Sequence, residues 1–201
     1  MKAFKSILLV LSLVVSHTTF AQEESHRLTF AAVLGTAHVD NGNGRPVPVE
    51  VGSKIKVGAV IRTSPRSALD LYLGSSEGTL RLTQNTTIKV LRFDAKGIEF
   101  HLTTGSVLGL GNRIAKEKAY YIKTPKGILD THAKQFRINT SGLVVGVEGQ
   151  MTFAHIEDGK VTPHIMNCPP VSYFWPGAGV KPAPPALVRE VKTQINARIH
   201  N

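Results

Sequence analysis

The chain has 201 residues with 24 Lys and Arg against 14 Asp and Glu, a formal net charge of +10, and one cysteine. This length predicts one compact domain rather than two large ones. The lone cysteine, Cys168, excludes both an intrachain disulfide framework and a zinc site built from several thiolates. An ordinary apolar core must therefore supply the stability.

The first 21 residues have the pattern of a secretory signal peptide. Lys2 and Lys5 precede an apolar run over residues 7–15, and small residues follow up to Ala21. The run is shorter than the roughly 20 apolar residues that a membrane-spanning helix needs, and no later stretch reaches that length. We therefore expect residues 1–21 to be removed, no transmembrane span, and a mature chain that is periplasmic or secreted.

The mature chain keeps its basic character, since the predicted signal holds two lysines and no acidic residue. Excess positive charge favours anionic partners, such as an acidic glycan or a lipid headgroup of the cell envelope, and a protein partner is also open. Nucleic acid is an unlikely partner. The basic residues are scattered, and aromatic residues make up only 6% of the chain, too few for a base-stacking surface.

Short strands separated by turns are predicted from residue 28 to residue 162. In residues 68–73, leucines alternate with other residues and so lie on one face, and the same period of two recurs further along the chain. Turn compositions rich in Gly, Asn and Asp separate these segments. The pattern predicts an all-β domain, an antiparallel sandwich, barrel or short solenoid, with further strands in residues 80–82, 88–90, 98–102, 120–123, 127–129, 136–138, 144–147 and 151–156.

The C-terminal part changes character. Seven of the 11 prolines lie between Pro163 and Pro185, and proline donates no backbone hydrogen bond, so residues 163–185 are predicted to form a strap over the surface. Residues 186–201 switch to the helical period, with an apolar stripe that includes Leu187, Val191 and Ile195. We expect this amphipathic helix to dock on the β domain. The alternative is a helix that seeks a partner or an anionic membrane.

Several motifs resemble those of FecR-type domains over residues 33–156. They are the glycine-punctuated series 51–63, the segments 67–71 and 80–86, Leu-Thr-Thr-Gly-Ser-Val at 102–107, Thr-Pro-Lys-Gly-Ile at 124–128, and residues 136–138 with 145–151. The resemblance implies an extracytoplasmic, non-enzymatic β module of the bacterial envelope, used for binding or scaffolding and lacking the family's anti-sigma and transmembrane segments. Structural roles in turns are expected for Gly52, Gly58, Gly105, Gly149, Thr63 and Asn85.

Catalytic patterns are sparse, and we predict no catalytic residue, no cofactor and no metal. The alternative is a small secreted hydrolase or metal-dependent enzyme acting on an envelope polymer. Asp130, His132 and His155 are the nearest approach to a metal triad. Asp70 and Glu99 could supply a carboxylate pair, but both alternate with apolar residues in their strands and are expected to face solvent.

One aromatic cluster is a candidate ligand or partner surface. The only tryptophan of the chain, Trp175, follows two other rings, and basic residues stand nearby in the strap and the helix. We expect the rings to pin the strap to the core through burial. The alternative is a recognition surface for an anionic partner, made of Tyr173, Phe174, Trp175, Lys181, Arg189 and Lys192.

Overall fold

The computed structural model describes residues 28–74, 78–111 and 119–199, so the predicted signal peptide lies outside the described residues. The described chain forms sixteen strands and one helix. The elements are β1 Thr29–Leu34, β2 Ala37–Asp40, β3 Val47–Pro48, β4 Val60–Thr63, β5 Ala68–Gly74, β6 Gly78–Leu82, β7 Thr87–Asp94, β8 Gly97–Thr104, β9 Ser106–Leu110, β10 Ala119–Thr124, β11 Gly127–Thr131, β12 Gln135–Asn139, β13 Val144–Glu157, β14 Lys160–Cys168, β15 Ser172–Trp175, β16 Gly179–Pro182 and α1 Pro185–Asn196.

The strands form one open sheet that folds over into two layers. Layer 1 has the order β1-β5-β6-β9-β12-β13-β15-β16, and layer 2 has the order β3-β2-β4-β7-β8-β10-β11-β13-β14. The all-β prediction is confirmed. No helix in the described ranges is long and apolar enough to cross a membrane.

β13 belongs to both layers. Its first residues pair with β12 and β15 in layer 1, and its second half pairs with β11 and β14 in layer 2. The strand turns from one layer into the other at Gly149, whose φ is +108° and where a Cβ would lie 2.6 Å from the Cα of Ala133. The sequence predicts two strands here, 144–147 and 151–156. The structure has one, because glycine lets the chain bend without breaking its pairing.

The core lies between the two layers. Leu69, Leu71 and Leu73 point inward with at most 1% of their surface exposed, as the alternation predicts. The ring of Tyr120 in layer 2 lies edge-on to the ring of Phe136 in layer 1, with centroids 6.2 Å apart. This contact joins the two inner faces into one apolar cluster.

One strand pair departs from the antiparallel prediction. β8 and β10 are parallel neighbours, with Glu99 opposite Tyr121. Between them in sequence stands β9, which lies in layer 1. Only Gly105 separates β8 from β9, so the chain passes from layer 2 into layer 1 there and is back in layer 2 at β10, a crossover of the kind that parallel neighbours need.

A buried polar corner holds the turns between the layers. The Thr86 backbone N–H donates to Thr63 Oγ1 at 3.0 Å, and the Thr86 hydroxyl donates to the carbonyl of Ser106 at 3.1 Å. At Gly105, φ is +84° and a Cβ would meet the Cα of Thr86 at 2.6 Å. Asn85 has a φ of +54°. The motif residues that carry the FecR resemblance here hold turns in place.

The prediction of a Pro-rich strap is wrong for most of residues 163–185. Residues 163–168 continue β14, and residues 172–182 form the hairpin of β15 and β16. Pro163 is tolerated because, among the described strands, β14 pairs on one side only, with β13. The other prolines lie in turns, at the end of β16 or at the start of α1.

Candidate functional site

The outer face of layer 1 carries a continuous row of side chains that face away from the core. The strand register places seven residues directly opposite one another across six neighbouring strands and the edge strand β16. In order, the outer row is Asp70, Arg81, Leu108, Arg137, Val145, Tyr173 and Lys181.

α1 covers the middle of this row. Val191 is fully buried and packs in one cluster with Val145 and Val147 of β13. Leu187 and Ile195, one turn before and after Val191, pack against the same cluster. The structure therefore shows the helix docked on the β domain through the predicted apolar stripe.

Arg81 fixes the C-terminal end of α1. Its Nε and Nη2 donate to the two carboxylate oxygens of Asp70 at 2.7 and 2.8 Å. Its Nη1 donates to the backbone carbonyls of Gln194, at 3.1 Å, and Ala197. A cation at the carbonyl end of a helix satisfies unpaired acceptors and complements the helix dipole.

This arrangement corrects two predictions. Asp70 does not face solvent: only 9% of its surface is exposed, because α1 closes over the ion pair. The helix ends at Asn196 rather than continuing to residue 201, because Ala197 is extended and its carbonyl is bound by Arg81. Residues 200 and 201 lie outside the described residues.

A second ion pair holds the middle of the helix. Arg137 of β12 donates from Nη1 to Glu190 of α1 at 2.6 Å. Glu190 is the one acidic residue between residues 171 and 199, a stretch that holds Lys181, Arg189, Lys192 and Arg198. Because Arg137 pairs with Glu190, the exposed side of α1 keeps the positive charges of Arg189 and Lys192.

The predicted aromatic cluster is divided between two faces, because β15 is a strand and its side chains alternate. Phe174 points into the core and is 1% exposed, whereas Tyr173 packs beside α1 on the outer row. Trp175 is 43% exposed. The expectation that the rings are buried therefore holds for Phe174 and is wrong for Trp175.

The other four residues of the predicted ligand or partner surface lie on the outer side of layer 1. Lys181 is exposed and stands opposite Tyr173 in the β15–β16 hairpin. Arg189 and Lys192 are exposed and line, with Val188, a shallow concavity on the solvent side of α1. We call the set of Trp175, Lys181, Arg189 and Lys192 the hairpin–helix surface.

The acidic residues considered for catalysis are ion-paired. Glu99 accepts a hydrogen bond from Lys123 at 2.5 Å, and Asp70 is held by Arg81. Burial raises the pKa of Asp130, and nearby His132 lowers it in part. Within the described residues no group of three or more His, Cys, Asp or Glu side chains could hold a metal ion, so Asp130, His132 and His155 do not form a triad.

His155 instead lies in an aromatic cluster at the β13–β14 edge. Its ring centroid is 6.3 Å from that of His164, and the His164 ring is 4.3 Å from Phe174. Burial lowers the pKa of His164, and the neighbouring His155 lowers it further. Cys168, at the end of the strand that carries His164, is also buried. Burial raises the pKa of its thiol, whereas hydrogen bonds from Ser172 lower that pKa in part.

Sequence reasoning missed Arg81. A signal was available: Asp70 and Arg81 each stand between two leucines, on either side of the turn predicted at residues 74–78. A hairpin about that turn places the two opposite charges face to face, and such pairs stabilise antiparallel strands. Their burial could not be inferred, since it depends on a helix more than a hundred residues away.

Together these features define an all-β protein of two layers with a C-terminal helix docked on one of them. Comparisons with family models, with curated proteins and with solved structures gave no match.

Proposed function

We propose that this protein is a non-enzymatic FecR-like binding or scaffolding module that works in the bacterial periplasm or outside the cell. Its partner is an anionic component of the envelope, with lipid headgroups favoured, and it binds at the hairpin–helix surface. The sequence motifs support the FecR-like assignment, and the secretory pattern of residues 1–21 supports the location.

The observation that carries the proposal is the charge of this surface. Lys181, Arg189 and Lys192 are exposed, and the single acid of this stretch, Glu190, is already paired with Arg137. Each Lys or Arg close to an anionic bilayer contributes about 1 kcal/mol to binding. Three exposed cations without an ion-pair partner in the described part of the chain are therefore enough for measurable, salt-dependent attachment.

The exposed ring of Trp175 favours a lipid surface over a purely polar polyanion. Tryptophan has a large apolar body and one polar N–H, and it concentrates at the level of the headgroups in membrane interfaces. Trp175 is 43% exposed although it is the largest side chain of its hairpin. Burying it in an interface recovers apolar area that the fold itself leaves in water.

Vesicle binding tests the proposal directly. The chain from residue 22 onward is mixed with vesicles of phosphatidylcholine, with or without phosphatidylglycerol, and binding is read from sedimentation and from the emission of Trp175. We expect binding to the anionic vesicles only, with a blue shift of the emission. Replacing Lys181, Arg189 and Lys192 together with Gln should weaken binding by about a hundredfold, since three interactions of about 1 kcal/mol are lost.

A matched control distinguishes binding at this surface from a general effect of the protein's net positive charge. The triple variant Lys54→Gln, Lys56→Gln, Lys160→Gln removes three exposed charges elsewhere on the molecule. It should bind anionic vesicles nearly as the parent does. Equal losses in both triple variants would refute the proposed site, and binding to an acidic glycan but not to vesicles would replace the lipid headgroup as the partner.

A further inference from the structure

A second pocket lies beside the C-terminal end of α1. It is bounded by the first strands of layer 1 and by residues 197–199, which follow the helix. Its volume is about 260 Å³. The lining of this C-terminal pocket includes Leu34, Arg66, Ala68, Arg81, Gln194 and Arg198.

The walls of the C-terminal pocket are mainly apolar. Leu108 is fully buried, and Ala68 stands opposite Leu34 in the β1–β5 pair. Leu34 is half exposed although it is a large apolar residue on a strand. An occupant with a hydrocarbon body would remove this surface from water, which stabilises the complex in proportion to the area buried.

The charged groups of the pocket are all positive. Arg81 is already engaged by Asp70 and by the helix carbonyls. Arg66 and Arg198 are exposed, and among the described residues no acidic side chain lines the pocket. The free charges of the pocket therefore favour an anion.

One buried acceptor at the pocket has no hydrogen-bond donor within the described residues. Gln194 Oε1 is buried and accepts no hydrogen bond from the described part of the chain. A buried acceptor without a donor costs about 1–3 kcal/mol. The cost disappears if an occupant brings a hydroxyl or N–H group to this position.

From these three features we propose that the C-terminal pocket binds a small amphiphilic anion, with an apolar chain, a carboxylate or similar head group, and a hydrogen-bond donor near that head. Arg66 and Arg198 bind the head, Leu34 and Ala68 contact the chain, and Gln194 accepts from the donor. The volume of about 260 Å³ corresponds to about nine molecules of liquid water at about 30 Å³ each, so ligands of eight carbons are suitable probes. Ala197 lines both this pocket and the concavity beside Arg189 and Lys192, but none of the residues that bind the head, the chain or the donor belongs to the hairpin–helix surface.

Isothermal titration with three ligands of one length tests the assignment. β-Hydroxyoctanoate carries the chain, the anion and the donor; octanoate lacks the donor; octanol lacks the anion. We expect affinity to fall in that order, several-fold at the first step and about tenfold at the second, as single hydrogen bonds and charged hydrogen bonds require. Octanol binding as well as octanoate would overturn the proposal.

Variants place the ligand in the pocket. Arg66→Asn with Arg198→Gln should lower the affinity for octanoate about tenfold or more and leave octanol unchanged, whereas Lys160→Gln, an exposed charge elsewhere, should change neither. Asparagine is chosen because residue 66 has a φ of +55°, which asparagine tolerates. Ala68→Leu, which fills the pocket, should abolish binding of all three ligands with the melting temperature retained.

Gln194→Met should make β-hydroxyoctanoate and octanoate bind equally, since it removes the acceptor; it also removes the 3.4 Å hydrogen bond from Gln194 Nε2 to Glu190, which stays paired with Arg137. If the hydroxy acid keeps its advantage in this variant, or if Ala68→Leu binds like the parent, the pocket is not the site and the proposal is refuted.

Discussion

Arg81 should be among the most destabilising positions for substitution in the described chain. In Arg81→Met the Asp70 carboxylate, with 12% of its side chain exposed, loses its cation. Breaking a buried ion pair by removing one partner costs about 3–5 kcal/mol. The two hydrogen bonds to the helix carbonyls of Gln194 and Ala197 add about 0.5–1.5 kcal/mol each. The sum is a large part of the roughly 5–15 kcal/mol that stabilises a domain.

Urea denaturation followed by circular dichroism measures this loss of unfolding free energy. If Arg81→Met is too unstable to study, Arg81→Lys keeps the charge but not the forked geometry and should show an intermediate loss. The double variant Asp70→Leu, Arg81→Met leaves no uncompensated charge, so it should be more stable than Arg81→Met alone.

A surface ion pair of the same sheet provides the control. Lys134 and Glu148 are 2.5 Å apart, with 42% and 46% of their side chains exposed. Lys134→Met should change stability by no more than about 0.5 kcal/mol. If Arg81→Met were equally mild, or if the Asp70 and Arg81 effects were additive in the double variant, the buried, coupled pair described here would be refuted.

Three further predictions follow from the core and its edge. The pKa of His164 is lowered in the folded chain, so unfolding takes up protons, and stability should fall as the pH drops below about 6.5; His164→Gln should flatten this slope in urea titrations at several pH values, and an unchanged slope would contradict the cause given. Gly149→Ala should destabilise more than Gly159→Ala, because both have positive φ but only at Gly149 would a Cβ collide with Ala133; equal melting temperatures would exclude the collision. The buried Cys168 thiol should react slowly with a disulfide reagent until urea unfolds the chain, and rapid native labelling would disagree with its burial.

The strands of the core could be predicted from sequence because their side chains alternate. Leu69, Leu71 and Leu73 face inward as expected, and period-two alternation is a local property that needs no knowledge of distant residues. The helix could also be predicted from sequence, because its apolar stripe repeats at helical spacing. Both signals depend only on neighbouring residues.

What could not be predicted depends on contacts between distant parts of the chain. Alternation places Asp70 on the outer face correctly, but whether water reaches that face is decided by α1. Proline at position 163 predicts the end of a strand. It is accommodated in β14 because, among the described strands, β14 pairs only with β13. The C-terminal pocket joins Leu34 and Arg66 to Arg198, and no local pattern brings them together.

The position of β13 in the sequence also constrains the order of folding. During synthesis the chain emerges from its N-terminus, so β1 to β12 are available before β13, which pairs in both layers. Until Val144–Glu157 has emerged, β11 and β12 have no common partner, and β11 keeps an unpaired edge in layer 2. Open strand edges invite aggregation in the meantime. A chaperone that keeps the unpaired strands in about the first 140 residues from associating would therefore raise the yield of folded protein. We expect a smaller gain from a chaperone that acts on the C-terminal helix.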